Sequence, residues 1–128
     1  MDKHIRFITH KDKAILLVDC TNCSSQELET IARVLPTYVT AQPKESVLLL
    51  ADFTGATFDK KLIEIVKPAL VFDRPHVRRS AWVGTEGLPK VLYEHLKSFS
   101  QRDLPLFATR AEALEWLAPE PLAVPPDA

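Results

Sequence analysis

The sequence predicts an α/β protein built on a mixed, mostly parallel sheet of about five strands with about four helices. Short apolar runs at 14–18, 47–51 and 77–83 have the length and composition of buried strands. Segments in which apolar residues recur with helical spacing separate these runs. Because strands that alternate with helices are typical of βα units, most of the sheet is expected to be parallel.

The predicted strands are apolar runs bounded by polar turns. Ile5 and Phe7 alternate with polar residues, as in a half-buried edge strand, and the polar tip at 10–12 predicts a hairpin. The remaining strands are predicted at 14–19, 47–52, 79–83 and 104–108.

Helical periodicity predicts the elements between and after these strands. Ser24 or Ser25 can cap the first helix, and Pro36 is expected to kink or end it. Pro68 is expected to interrupt the second helix, and His95 to be partly buried on the third. The inner face predicted for the third helix consists of Leu88, Val91, Leu92, His95, Leu96 and Phe99. The helices are predicted at 25–40, 59–72, 88–99 and 110–117.

Length and composition indicate one domain without a membrane or nucleic-acid partner. The 128 residues carry 16 basic and 17 acidic side chains, which leaves no positive field for nucleic acid. No apolar stretch has the length of a signal peptide or a membrane span, so we expect a cytoplasmic protein with no integral membrane segment. A single domain is predicted at 1–118, followed by a disordered Pro-rich tail at 119–128.

The segment SVLLLADFTGATF, residues 46–58, resembles the middle of STAS domains, the family of the SpoIIAA-like anti-sigma-factor antagonists. The strand SAWVG and the ending PLFATRAEALEWL are similar to the small STAS-like proteins of bacteria, so the resemblance covers roughly residues 3–117. It implies a SpoIIAA-like superhelix of β-α units with sequential strands. It also implies a non-enzymatic regulatory or binding module that needs no cofactor and acts through a protein partner or a small ligand.

The resemblance also implies a phosphoserine switch just after this strand. The matching stretch here is DKKL, residues 59–62, which holds no hydroxyl group. We therefore do not expect the family's switch at this site. Thr54 and Thr57 are the nearby hydroxyls, and we expect them to cap the following helix and close the turn.

Ligands of parallel α/β sheets tend to bind beyond the carboxyl ends of the strands. If Asp19 and Asp52 lie on adjacent strands, like-charge repulsion could raise the pKa of one of them. The interpretation that we prefer is that each carboxylate accepts backbone N–H bonds at a neighbouring helix start. The binding residues predicted in these loops are Asp19, Thr21, Asp52, Thr54, Thr57, Gly84 and Thr85.

The second predicted helix is apolar on more than one face. Ile65 and Phe72 lie beyond the single stripe that packing on a sheet requires. They can cover an edge of the sheet, line a cleft for an apolar ligand, or form a dimer contact. A cleft would make the protein a carrier of an apolar small molecule or lipid, a function found in CRAL-TRIO domains of the same fold. If another molecule covers these side chains, we favour a second subunit in a homodimer.

Cys20 and Cys23 occupy the position of the redox pair in thioredoxin-like folds. A helix N-terminus lowers a thiol pKa, so a thiol oxidoreductase is a further alternative. Asp19 directly before the pair opposes this function because its charge would raise the pKa, and we expect two structural cysteines. The four histidines are dispersed without metal-binding spacing, so no metal site is predicted.

Overall fold

The computed structural model describes residues 3–119 as three layers, with a five-stranded sheet between three helices on one face and one helix on the other. The strands are β1 (Ile5–His10), β2 (Lys13–Asp19), β3 (Val47–Asp52), β4 (Val77–Val83) and β5 (Leu106–Phe107). The helices are α1 (Ser25–Thr40), α2 (Lys60–Asp73), α3 (Lys90–Ser100) and α4 (Arg110–Leu117), with a 3-10 turn at Thr85–Gly87. The predicted fold class and element counts are confirmed. Of the predicted tail at 119–128, only Pro119 lies among the described residues.

The strands lie in the sheet in the order in which they occur in the chain. β1 and β2 form an antiparallel hairpin, whereas β2, β3, β4 and β5 pair in parallel. The three central strands predicted from the apolar runs are therefore neighbours. Because parallel strands point the same way, the loops that follow β2, β3 and β4 meet at one edge of the sheet.

Both faces of the central strands are buried, which explains their continuous apolar runs. Leu16 and Val18 of β2 face the core formed with α1, α2 and α3. Ile15 and Leu17 alternate with them and belong to a second core beneath α4. No helix in residues 3–119 combines the length and the apolar character needed to cross a membrane.

The two helices that contain proline run through it, so neither Pro36 nor Pro68 ends its helix, in agreement with the predicted ranges 25–40 and 59–72. α1 continues four residues beyond Pro36 to Thr40, and α2 continues from Pro68 to Asp73. A proline in a helix removes one backbone hydrogen bond. Val39 is fully buried in the last turn of α1, and Leu70 is buried after Pro68. Burial of these side chains holds each helix together beyond its proline.

The buried face of α3 differs from the predicted one. His95 is exposed, and Val91 and Phe99 expose 74% and 51% of their surface. Leu96 of the predicted face is buried, and the helix also buries Ser100, whose hydroxyl donates to the Leu96 carbonyl at 2.7 Å. Serine is polar, so the apolar periodicity of the sequence does not place Ser100 on the buried face of α3.

The last strand is shorter than predicted. Regular strand structure is limited to Leu106–Phe107 instead of 104–108. Leu104 has a positive φ of 45°, and Pro105 has no N–H to donate to a neighbouring strand. These two residues delay the start of the strand.

The start of α1 is closed by a capping box. The Ser24 hydroxyl accepts the Glu27 N–H at 3.1 Å, and the Glu27 carboxylate accepts the Ser24 N–H at 3.0 Å. Of the two serines that the sequence offers, Ser24 is the cap. The box satisfies two backbone donors that would otherwise lack partners.

Replacing this cap should destabilise the fold measurably. We expect Ser24→Ala to lower the free energy of unfolding by about 1 kcal/mol, because the Glu27 N–H loses its acceptor. Urea unfolding followed by circular dichroism measures the change. Gln26→Ala, on the exposed surface of the same turn, is the control and should change stability by less than about 0.5 kcal/mol. Equal midpoints for the two variants would contradict the role of the cap.

Candidate functional site

Two short turns of the same construction follow β2 and β3. Asp19 and Asp52 are directly paired in the sheet and begin the segments DCTN and DFTG. The Oδ1 atom of Asp19 accepts the Thr21 N–H at 3.1 Å and the Thr21 hydroxyl at 2.7 Å. The Oδ1 atom of Asp52 accepts the Thr54 N–H at 3.0 Å and the Thr54 hydroxyl at 2.6 Å. Each carboxylate therefore accepts a backbone N–H, as we expected, but the N–H belongs to its own turn and not to a neighbouring helix start.

Backbone hydrogen bonds continue from the sheet into these turns. The Cys20 N–H donates to the Asp52 carbonyl at 2.8 Å, and the Asn22 N–H donates to the Thr54 carbonyl at 2.7 Å. The Phe53 N–H donates to the Val83 carbonyl at 2.8 Å. The loops therefore stack beside one another as the strands do, and together they form a surface that we call the carboxyl edge. It consists of residues 19–22, 52–55 and 84–85.

Gly84 allows the closest approach between two of these loops. Its φ is +71°, and a Cβ built on it would lie 2.4 Å from the Thr54 nitrogen and 2.6 Å from the Thr54 Cα. Because these are backbone atoms, no larger residue fits without moving the chain. Thr85 follows as the first residue of the 3-10 turn, where its carbonyl accepts the Leu88 N–H at 2.9 Å. Gly84 therefore allows the close packing of these loops, and Thr85 begins the 3-10 turn beside it.

Arg110 joins the two turns from the opposite face of the sheet. Its Nε donates to the Oδ2 atom of Asp52 at 2.5 Å, and one terminal nitrogen lies 3.1 Å from the Oδ1 atom of Asp19. The Asp52 side chain is 7% exposed, whereas those of Asp19 and Arg110 are 30% and 38% exposed. The guanidinium thus pairs with a buried and a half-exposed carboxylate at once, as its planar fork allows.

Sequence reasoning missed Arg110. The signal available was its position directly after the cap residue Thr109 and beyond the carboxyl end of β5, because β5 is parallel to β4 and therefore ends at the same edge. Thr109 does cap α4, as its hydroxyl accepts the Glu112 N–H at 3.1 Å. The repeated Asp-x-Thr pattern at Asp19 and Asp52 is also present in the sequence and was not recognised as a repeat.

Both carboxylates stay ionised at neutral pH. Burial alone would raise the pKa of Asp52, but the Thr54 hydrogen bonds and Arg110 outweigh it and hold the pKa below the ordinary value. The pKa of Asp19 is lowered in the same way, because the bonds from Thr21 and the charge of Arg110 overcome burial. The alternative of a raised pKa, which we did not prefer, therefore does not hold, since a cation lies between the two acids. Neither group is suited to donate or accept a proton near pH 7.

The other predicted site residues lie away from the carboxyl edge. Thr57 is exposed in the loop before α2, and its N–H donates to the Cys23 carbonyl at 3.0 Å. The prediction that Thr54 or Thr57 caps α2 is wrong, because Asp59 accepts the Leu62 N–H at 2.8 Å. The hydroxyl of Thr54 is directed to Asp52 instead.

Ile65 and Phe72 form part of an apolar face on α2. Phe72 and Val71 expose 68% and 45% of their surface, whereas Ile65 is half-buried. Beside them an open groove of about 450 Å³ lies on the surface where α1 and α2 pack together. The residues that line it are Ala32, Arg33, Pro36, Glu64, Ile65, Pro68, Ala69 and Phe72.

A small apolar cavity lies between the sheet and α1, α2 and α3. Its volume is about 70 Å³, well below the roughly 300–1,000 Å³ that ligand sites commonly have. Asp73 and Arg102 lie at its wall. The Asp73 side chain is almost fully buried, and its Oδ1 atom has no hydrogen-bond partner. Burial raises the pKa of Asp73 to about 6, although Arg102 and His76 oppose the shift.

Cys20 and Cys23 are free and buried, at 1% and 3% exposure. Burial, together with the charges of Glu27 and Asp19, raises the pKa of the Cys23 thiol. A buried thiol with a raised pKa is a poor nucleophile. Cys23 lies close to His4 and Glu27, and ligand atoms of these three residues are within 4.8 Å of one another. Sequence spacing could not indicate this group, because His4 comes from the chain before β1.

No protein-family model, curated protein or solved structure matches this chain. The structure defines the protein as an α/β protein whose mixed sheet has its strands in chain order. Its carboxyl edge is held by an arginine between two aspartates.

Removing Arg110 should destabilise the protein in a pH-dependent way. We expect Arg110→Met to lower the free energy of unfolding at pH 7 by roughly 2 kcal/mol, because Asp52 is left buried without its cation. The pKa values of both aspartates are lowered in the folded state, so the stabilisation is present above their ordinary value of 3.8 and is lost as the pH falls below it. The difference between wild type and variant should therefore shrink below pH 4.

Chemical denaturation between pH 3 and pH 8 tests this expectation. Arg33→Met is the matched control, because Arg33 forms an exposed pair with Glu29 on α1. It should cost less than about 0.5 kcal/mol at every pH. A similar loss for both variants would show that the Arg110 pairs contribute no more than a surface ion pair.

Asp73 should have the opposite pH dependence. Its folded pKa of about 6 lies above the ordinary 3.8, so the folded state binds more protons between these values and stability falls as the pH rises through this range. We expect Asp73→Asn to remove this slope and to stabilise the protein at pH 7 by up to roughly 3 kcal/mol. Denaturation midpoints at pH 4.5 and pH 7 measure the effect. A variant that is less stable than wild type at pH 7 would contradict the prediction.

Proposed function

We propose that this protein is a non-enzymatic STAS-like binding module that acts through a protein partner, with a second copy of itself as the first partner to test. The sequential, mixed sheet supports the proposal, because it is the arrangement that the resemblance implies. The observation that carries it is the apolar face of α2, where Val71 and Phe72 are exposed beside an open groove.

The free energy of burial favours a covering for this face. Burying a side chain of the size of Phe72 contributes about 1.5–3 kcal/mol, and Phe72 leaves 68% of its surface in water. Contiguous exposed apolar surface of this kind commonly marks a contact with another protein. A two-fold dimer places the same patch on both subunits, which makes it the simplest covering.

The carboxyl edge supports binding better than catalysis. Its acids are held ionised by Arg110, and the hydroxyls of Thr21 and Thr54 donate to those acids. These groups are engaged with one another, so they offer a fixed polar surface without a proton donor or an activated nucleophile. The small core cavity and the buried thiols do not favour a lipid carrier or a thiol oxidoreductase.

The proposed module works without the phosphoserine switch of the family that it resembles. Residues 59–62 contain no hydroxyl, and Asp59 already caps α2 with a negative charge. A carboxylate at this position occupies the place where a phosphate would otherwise interact with the helix N-terminus. Regulation, where it exists, would then act through partner binding itself.

Light scattering coupled to size-exclusion chromatography tests the partner surface. We expect wild type to dimerise in a concentration-dependent way and Phe72→Asp to be a folded monomer, because a charge would be buried in the contact. Val91→Asp is the matched control, since Val91 is 74% exposed on α3 and lies outside this face. It should dimerise like wild type.

A second arm separates self-association from binding of another protein. Immobilised wild type, Phe72→Asp and Val91→Asp are compared for proteins that they retain from the host lysate. A protein retained by wild type and by Val91→Asp but lost with Phe72→Asp would identify a different partner at the same surface. A monomeric wild type that retains no such protein would refute the proposed function.

A further inference from the structure

Three side chains with different ligand chemistry meet between the start of β1 and the start of α1. One ligand atom from each of His4, Cys23 and Glu27 lies within 4.8 Å of the other two. The Nδ1 atom of His4 is 4.0 Å from the Sγ atom of Cys23. We propose that these three residues bind one divalent transition metal ion, for which Zn²⁺ is the best match. This inference does not depend on the proposed function.

The set of ligands selects the metal. Imidazole nitrogen, thiolate sulfur and carboxylate oxygen are the three ligand types that Zn²⁺ uses in proteins. Ca²⁺ and Mg²⁺ prefer oxygen ligands throughout, so a site with sulfur and nitrogen discriminates against them. Three protein ligands leave the fourth tetrahedral position for water, or for a side chain of a partner.

The Nδ1 atom of His4 is the ring nitrogen that approaches Cys23, and it also lies 2.9 Å from the carbonyl oxygen of Asp19. A ring nitrogen that donates its proton to a carbonyl has no lone pair for a metal. Binding through Nδ1 therefore requires the tautomer that carries its proton on Nε2, and the ring must turn away from the Asp19 carbonyl. Loss of this one hydrogen bond is part of the free energy of metal binding.

Cys23 and Glu27 are held in place by the capped start of α1. Cys23 directly precedes the cap residue Ser24 and is 3% exposed, so its position is fixed. Glu27 accepts the Ser24 N–H with one oxygen, and a carboxylate has further lone pairs for a metal. Zinc bond lengths of about 2.0–2.3 Å place tetrahedral ligand atoms about 3.5 Å apart, so the group must contract by about 1 Å. The exposed side chain of Glu27 can move toward the site, and the half-buried ring of His4 must close the remaining distance of about 0.5 Å to Cys23.

Metal titration of the full chain tests the inference. The reduced protein is treated with a chelator, exchanged into buffer without it, and titrated with Zn²⁺ by calorimetry. Co²⁺ is then used as a spectroscopic substitute, because thiolate coordination gives a charge-transfer absorption that nitrogen and oxygen ligands do not. We expect one equivalent of either ion to bind and the Co²⁺ complex to show the thiolate band.

Variants assign the ligands. Cys23→Ser should remove the thiolate band and weaken Zn²⁺ binding by about 100-fold or more, and His4→Ala should weaken it by a similar factor. Glu27→Gln keeps the capping box, because glutamine can also accept the Ser24 N–H, but it removes the charged ligand and should weaken binding at least about 10-fold. Cys20→Ser is the matched control, since Cys20 is equally buried but is outside the group, and it should bind as wild type does.

The outcomes are decisive in both directions. Single-site binding that is lost with Cys23→Ser and retained with Cys20→Ser supports the site. Absence of the thiolate band at one equivalent of Co²⁺, or equal Zn²⁺ affinity for wild type and Cys23→Ser, would overturn it. Circular dichroism of each variant without metal confirms that it is folded, and Glu27→Gln keeps the test valid if His4→Ala does not fold.

Discussion

The contact of Arg110 with Asp19 and Asp52 is the interaction on which the arrangement of this protein depends. α4 is the helix that covers the second face of the sheet, and Arg110 is its first residue. The guanidinium fixes the start of that helix over β2 and β3 and compensates the buried charge of Asp52. A partner for a buried carboxylate is needed in any case, because the free energy of leaving it unpaired is several kcal/mol. One side chain therefore satisfies the electrostatics of the edge and joins the two faces of the domain.

The elements of the fold could be predicted from the sequence because the central strands are buried on both faces. Val47–Asp52 has its predicted bounds, since a continuous apolar run between polar turns leaves little freedom of assignment. Helices α1 and α2 continue past their prolines, and α3 buries Ser100 while it exposes His95, for a common reason. Local propensity decides such details only when tertiary packing is weak, and here Val39, Leu70 and Ser100 are buried by neighbouring elements.

The candidate site was only half predictable. The position of Asp19 and Asp52 beyond parallel strands indicates that they meet, but their protonation depends on a third residue that lies far away in the sequence. Arg110 approaches because α4 packs back across β4 and β3, and single-sequence periodicity does not encode that crossing. The group of His4, Cys23 and Glu27 has the same origin. The hairpin brings the start of β1 beside the end of β2, whose loop contains Cys23.

The backbone hydrogen bonds of the sheet continue into the loops after β2 and β3. This continuation determines how the carboxyl edge would meet another molecule. The amides of Cys20, Asn22 and Phe53 donate to neighbouring chain segments, as amides within a sheet do. Such amides exchange with solvent slowly, and the loops behave as extensions of the strands rather than as mobile connections. A molecule that docks there meets a surface whose conformation is already fixed. Little chain entropy is lost on contact, so shape and charge complementarity would decide the affinity.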